Sequence, residues 1–128
     1  MNREDRRIVF VCEHGAFRSR IAAAYFNASV PRDWSAVSAG VTPQTEVSTR
    51  VGPLMAGTAA AAFVDAKSPR PLSEVSGERT IAIDTDVAGA ETWHVAGGTP
   101  GSDAEVRDEI RSRVMSLVRD LSGDSEAG

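Results

Sequence analysis

Four apolar residues in a row, Ile8–Val11, run into the chain's only cysteine, Cys12, and a helical pattern begins at Ser19. A short apolar run of that kind reads as a buried strand. The helix begins with Ser19–Asn27, where Ile21, Ala22, Tyr25 and Phe26 recur at helical spacing. Strand, short loop and helix in immediate succession place the loop at the carboxyl end of a strand, where open α/β sheets bind ligands. This constrains the chain more than any other feature, because it predicts both a fold class and the place of a site.

The remainder continues the alternation. Trp34–Ala39 (WSAVSA), Arg79–Asp84 (RTIAID) and Thr92–Ala96 (TWHVA) read as further strands, and residues 48–61 read as a helix with Pro53 inside it. Ser102 and Glu105 form a capping box for a last helix that is expected to run to about Leu121. Val106, Ile110, Val114, Leu117 and Leu121 line one face of it, and Ser122–Gly128 reads as a frayed tail. The prediction is one α/β domain over residues 1–128, a four-stranded parallel sheet with helices on both faces.

Charge limits the partners. The chain carries 14 Lys and Arg against 18 Asp and Glu, a net charge of −4, which argues against nucleic acid. No apolar stretch approaches the roughly 20 residues of a membrane span, and the start MNREDRR does not read as a signal peptide, so no membrane partner and a cytoplasmic setting are expected. A single cysteine makes neither an internal disulfide nor a metal cluster, and no metal or other cofactor is expected. It is either a buried small hydrophobe or a reactive thiol.

The segment Cys12–Ser19, CEHGAFRS, has the form C-x5-R-S and favours the reactive thiol. A stretch this long can curl so that the backbone N–H groups of Glu13, His14, Gly15, Ala16, Phe17 and Arg18 converge on an anion. The helix behind adds its positive end, and the Arg18 fork grips two oxygens of a tetrahedral oxyanion. The same field favours the thiolate of Cys12, placed for in-line attack. Ser19 is suited both to hydrogen-bond that sulfur and to cap the helix. Gly15 supplies a left-handed position. His14 either lines the pocket or is an exposed loop residue, and Phe17 either walls the site or packs beneath the loop.

VFVCEHGAFRSRIAAAYFN resembles the opening of the low-molecular-weight protein tyrosine phosphatase superfamily, which includes arsenate reductases. SAVSAG at Ser35–Gly40, VSTRVGPLMAG at Val47–Gly57, SPRPLSEV at Ser68–Val75, Trp93–Val95 and Val106–Val114 extend the likeness over nearly the whole chain. The resemblance implies a four-stranded parallel sheet, a phosphate loop, a cysteinyl-phosphate intermediate and no metal. It points first to a phosphatase acting on a phosphorylated substrate. The rival readings are a single-cysteine arsenate reductase or arsenate–thiol transferase that uses a small thiol, and a non-catalytic oxyanion binder.

Two departures matter. The family's acid, an Asp before Pro after the fourth strand, falls here within AGGTPGS, at Gly97 or Thr99, which donate no useful proton. Asp86 is the candidate substitute acid, with Asp84 and Asp103 the other nearby carboxylates, so a weakened phosphatase is expected. The family's bracing Asn in the loop is replaced, with His14 and Gly15 standing there, which predicts a looser loop. The two extra cysteines of a disulfide-relay arsenate reductase are missing.

Overall fold

The computed structural model describes residues 6–29, 34–95 and 103–127. Its elements in order are strand β1 (Arg7–Cys12), helix α1 (Arg18–Ser29), strand β2 (Ser35–Gly40), a short helix α2 (Val51–Met55), strands β3 (Arg79–Ile83) and β4 (Glu91–Trp93), and helix α3 (Asp103–Ala127). The four strands form one parallel sheet in the order β2-β1-β3-β4. The chain leaves β1 for one side and returns to pair β3 on the other, so the carboxyl ends of β1 and β3 flank the switch-point crevice. No described helix is long and apolar enough to cross a membrane.

Burial explains the sheet. Ile8, Phe10, Ile81 and Ile83 face the larger core, together with buried residues of α1, α2 and α3, whereas Val9, Val11, Ala39 and Ala82 face a smaller one. Strand side chains alternate between faces, so near-continuous apolar runs mean that both faces are covered. Helices α1 and α3 pack together on the first face. Among the described residues, the helical cover on the second is the 3-10 turn Leu72–Glu74, with Leu72, Val75, Val87 and Ala90 against the sheet. Aromatics are few but concentrated: Phe10 packs edge-on against Phe26, with ring centroids 6.1 Å apart, and lies 5.7 Å from Trp93.

Three expected boundaries differ. The helix expected over residues 48–61 is only α2, followed by a 3-10 turn at Ala61–Phe63. Pro53 is tolerated in a first turn, where its missing N–H has no role, but Gly57 at φ +83° ends the helix. Strand β4 stops at Trp93 because the Val95 N–H leaves the ladder and donates to Asp84 Oδ1 at 2.9 Å. Helix α3 continues to Ala127, since no proline follows Leu121 to break it. The AGGTPGS stretch, with Gly97, Thr99 and Ser102, lies outside the described residues.

Asn27 ties the end of α1 to β2. Its amide donates to the Ala36 carbonyl at 3.0 Å, and its carbonyl accepts the Ala36 N–H at 2.9 Å. Asn27→Ala orphans both groups at once and is expected to cost about 1–3 kcal/mol. Urea unfolding reads this as a lower midpoint at unchanged m.

Candidate active site

Cys12 is the last residue of β1 and is buried, yet it lines a cavity of about 310 Å3 at the carboxyl edge of the sheet. Its Sγ lies 3.2 Å from Ser19 Oγ. The Ser19 hydroxyl also reaches the Ala39 carbonyl at 3.4 Å. A hydroxyl rotates, so Ser19 can accept from a thiol or donate to a thiolate without moving its oxygen.

The loop between Cys12 and Arg18 has turned its carbonyls outward. Those of Cys12, Glu13, His14 and Ala16 accept N–H groups of Val41 (3.0 Å), Thr42 (2.7 Å), Gln44 (3.1 Å) and Ser48 (3.1 Å) from the loop after β2. The Gly15 carbonyl accepts from Arg20 Nε at 3.0 Å, and that of Phe17 from the Ile21 N–H at 3.0 Å. In a trans peptide the C=O and the following N–H point opposite ways. The N–H groups of residues 13–18 therefore point away from these carbonyl partners.

Backbone contact fixes this curl. Gly15 sits at φ +66°, and a Cβ there would lie 2.8 Å from the Gly40 nitrogen. A Cβ on Gly40 would lie 2.6 Å from the His14 carbonyl carbon and 2.7 Å from the Gly15 nitrogen. Neither obstacle is a side chain that can swing away. Gly40→Ala is expected to lose about 2–4 kcal/mol and to weaken oxyanion binding, whereas Gly52→Ala, with open space around its Cβ, changes stability by less than about 1 kcal/mol. Paired unfolding curves and phosphate titrations check the contrast.

Arg18 opens α1 and lines the cavity, its Nε 3.1 Å from Asp84 Oδ2 as an ion pair without an aligned hydrogen bond. Asp84 also lines the cavity, at φ +55°, with its N–H donating to the Trp93 carbonyl at 2.9 Å. Asp86 is exposed and is not among the lining residues. Asp103 starts α3 and pairs with Arg50 at 2.7 Å, and the Arg50 guanidinium covers the Phe17 ring at 4.1 Å. Phe17 thus both lines the cavity and belongs to the core. His14 is exposed at the rim, its Nδ1 3.2 Å from the Thr42 carbonyl. Glu13, also at the rim, accepts from the Thr85 hydroxyl at 3.1 Å.

Sequence reasoning missed Arg20, Asp65 and Arg70. Arg20 is 1% exposed although it sits in the first turn of a helix. Besides Gly15 it donates through Nη1 to the Asp65 carbonyl. The Asp65 carboxylate takes Arg70 Nη2 at 3.1 Å and the Lys67 N–H at 2.9 Å. Burial opposes the charge on Asp65, but the Lys67 N–H and the two arginines outweigh it and hold the carboxyl below its usual range. Burial likewise pushes the Arg20 guanidinium below its ordinary value, partly countered by Asp65 and Cys12. An arginine remains a cation even so.

No protein-family model and no curated protein matches the sequence. Solved structures do. An arsenate reductase from Archaeoglobus fulgidus is 30% identical over 87% of this chain and 98% of its own, with a TM-score of 0.68. A low-molecular-weight protein tyrosine phosphatase from T. tengcongensis is 16% identical over 90% of this chain and 99% of its own, with a TM-score of 0.64. The chain belongs to the low-molecular-weight tyrosine phosphatase and arsenate reductase superfamily. An arginine phosphatase from Geobacillus stearothermophilus, 18% identical over 95% of this chain and 96% of its own, shares the superfamily fold with a TM-score of 0.67. The superfamily therefore spans at least two chemistries on one scaffold. Relatives of both kinds act on tetrahedral oxyanions.

Proposed function

We propose that the protein is a cysteine-dependent phosphatase of low catalytic power. The observation that carries this reading is Cys12 at a cavity lined by residues of the Cys12–Arg18 loop, whose carbonyls are taken up by neighbouring segments. The Cys12 thiolate attacks phosphorus in line, an S–P bond forms, and the P–O bond to the leaving group breaks. The N–H groups of Glu13–Phe17 and the Arg18 guanidinium hold the three equatorial oxygens, where transition-state charge is spread. Ser19 hydrogen-bonds the sulfur and eases its later departure. Water then attacks phosphorus, the S–P bond breaks, and phosphate and the thiolate are released.

The leaving oxygen needs a proton or must be stable without one. Asp84 directs one oxygen to the Val95 N–H and the other to Arg18, which suits it to orient the arginine. Substrates with good leaving groups, aryl or acyl phosphates, are therefore preferred, since protonation is typically worth 10²–10⁴ in rate. Asp86, exposed and outside the cavity lining, is expected to contribute little as proton donor, so Asp86→Asn changes turnover less than about twofold; a tenfold fall would make it the acid. Asp84→Asn is expected to lower turnover about tenfold or more by releasing Arg18. Steady-state rates on one aryl phosphate decide both.

A second reading has its own support, the 30% identity to an arsenate reductase. Arsenate has no carbon leaving group: Cys12 would displace one oxygen as water and form an S–As(V) bond. A small thiol would then take the arsenic, and a second equivalent would form a disulfide as As(V) becomes As(III). The chain itself has no second cysteine for that role. Hydrolysis of an aryl phosphate without arsenate-dependent thiol consumption supports the phosphatase, and the reverse pattern supports the arsenate reading. Tight phosphate binding with neither activity would support a non-catalytic binder.

A further inference from the structure

A guanidinium buried in the first turn of a helix is unusual, because desolvating a charge is costly unless its surroundings use it. Arg20 bonds main-chain carbonyls, at Gly15 by Nε and at Asp65 by Nη1, and its Nη2 is also buried, without a hydrogen-bond partner. The contacts close on themselves. Asp65 holds Arg70. Arg70 Nη1 donates to the Ser38 carbonyl at 3.3 Å, and its own carbonyl accepts the Gly40 N–H at 3.0 Å. Gly40 in turn abuts Gly15. The loop thus has bracing that its own side chains do not supply.

We propose that Arg20 is a positioning residue of the oxyanion loop: a cation built in behind the loop that locks the Gly15 peptide and strengthens the field at the Cys12 sulfur. The peptide that joins Gly15 to Ala16 presents its carbonyl to Arg20 and its N–H to the cavity. A cationic donor on the carbonyl polarises the whole peptide and makes the Ala16 N–H a better donor. A neutral amide at position 20 could bond one carbonyl with less desolvation, so the charge itself is what the position uses. Arg20 acts through the loop and touches no substrate. The proposal rests on reading the loop as an oxyanion site.

The test is the pH dependence of Cys12 alkylation by iodoacetamide in the full chain, alone and with inorganic phosphate. Cys12 shares its cavity with Glu13, His14, Arg18, Arg50 and Asp84, all unchanged in the variants, so shifts report on the buried cluster. Arg20→Met is expected to raise the alkylation midpoint by about one pH unit and to raise the phosphate concentration for half-protection about tenfold. Arg20→Lys, which keeps the charge, recovers at least half of the midpoint shift. Asp65→Asn leaves Arg20 less compensated and moves the midpoint down. A merely structural arginine would not give opposite signs. A folded Arg20→Met whose midpoint matches the parent overturns the proposal, as does an upward or absent shift in Asp65→Asn, which decides alone if Arg20→Met does not fold. If phosphate never protects the parent, the oxyanion reading fails, while the midpoints still judge the coupling of Arg20 to the sulfur.

Discussion

Cys12→Ser is expected to abolish turnover, a loss on the order of 10⁴-fold or more, while inorganic phosphate still binds. The two halves come from different parts of the site. Turnover needs a nucleophile that is readily an anion and a good leaving group in the second step; a serine hydroxyl beside Ser19 is neither. Binding needs the N–H face of the loop, and that face is set by carbonyls anchored to the loop after β2, none of which involves the sulfur. Cys12 is 5% exposed and its Sγ hydrogen-bonds Ser19, and a serine, slightly smaller, fits the same space. Calorimetric phosphate titration alongside an aryl phosphate assay separates the effects. Retained turnover in the variant would remove Cys12 from the chemistry.

Arg18→Lys is expected to lower turnover about a thousandfold with little change in melting temperature. A guanidinium presents a flat fork that matches two oxygens of a trigonal-bipyramidal phosphoryl group as charge spreads onto them, and single donors of this kind are typically worth 10²–10³. Lysine offers a point charge on a flexible stem. The fork is also held in place, since Nε lies against Asp84, whose backbone and carboxylate are fixed by the end of β4. An ammonium inherits none of that orientation. Arg18 is partly exposed, so the substitution empties no core space. A fall of less than about tenfold would mean that the loop N–H groups alone carry the oxyanion.

Much of this architecture is legible in the chain itself. Ile8–Val11 and Ile81–Ile83 announce buried strands because they are apolar without alternation, and the stripe from Val106 to Leu121 announces α3 because its opposite face is charged. Gly15 in a tight loop before a helix predicts the left-handed turn observed at φ +66°. Helix α1 is harder to read: Ser19 through Phe26 are all buried, so no polar face marks its period. What the sequence conceals is long-range. Arg20 looks like a solvated helix cation until the fold brings Asp65 and Arg70 beneath it. Gly40 looks like a turn residue, whereas its role is to let β2 pass against the backbone of the loop. The helix expected over residues 48–61 fails for a local reason that composition understates, because Gly52, Pro53 and Gly57 fall within six residues of one another.

In the proposed site a tetrahedral oxyanion sits over the Cys12 sulfur, held by the loop N–H groups and Arg18. Vanadate, which adopts the five-coordinate geometry of the phosphoryl transition state, tests it most directly in a crystal of the intact protein. Vanadium is expected in line with Cys12 Sγ, its equatorial oxygens on the N–H groups of residues 13–18 and on the Arg18 guanidinium. Vanadate bound elsewhere, or a cavity whose loop carbonyls have turned inward with Arg18 directed to solvent, would contradict it.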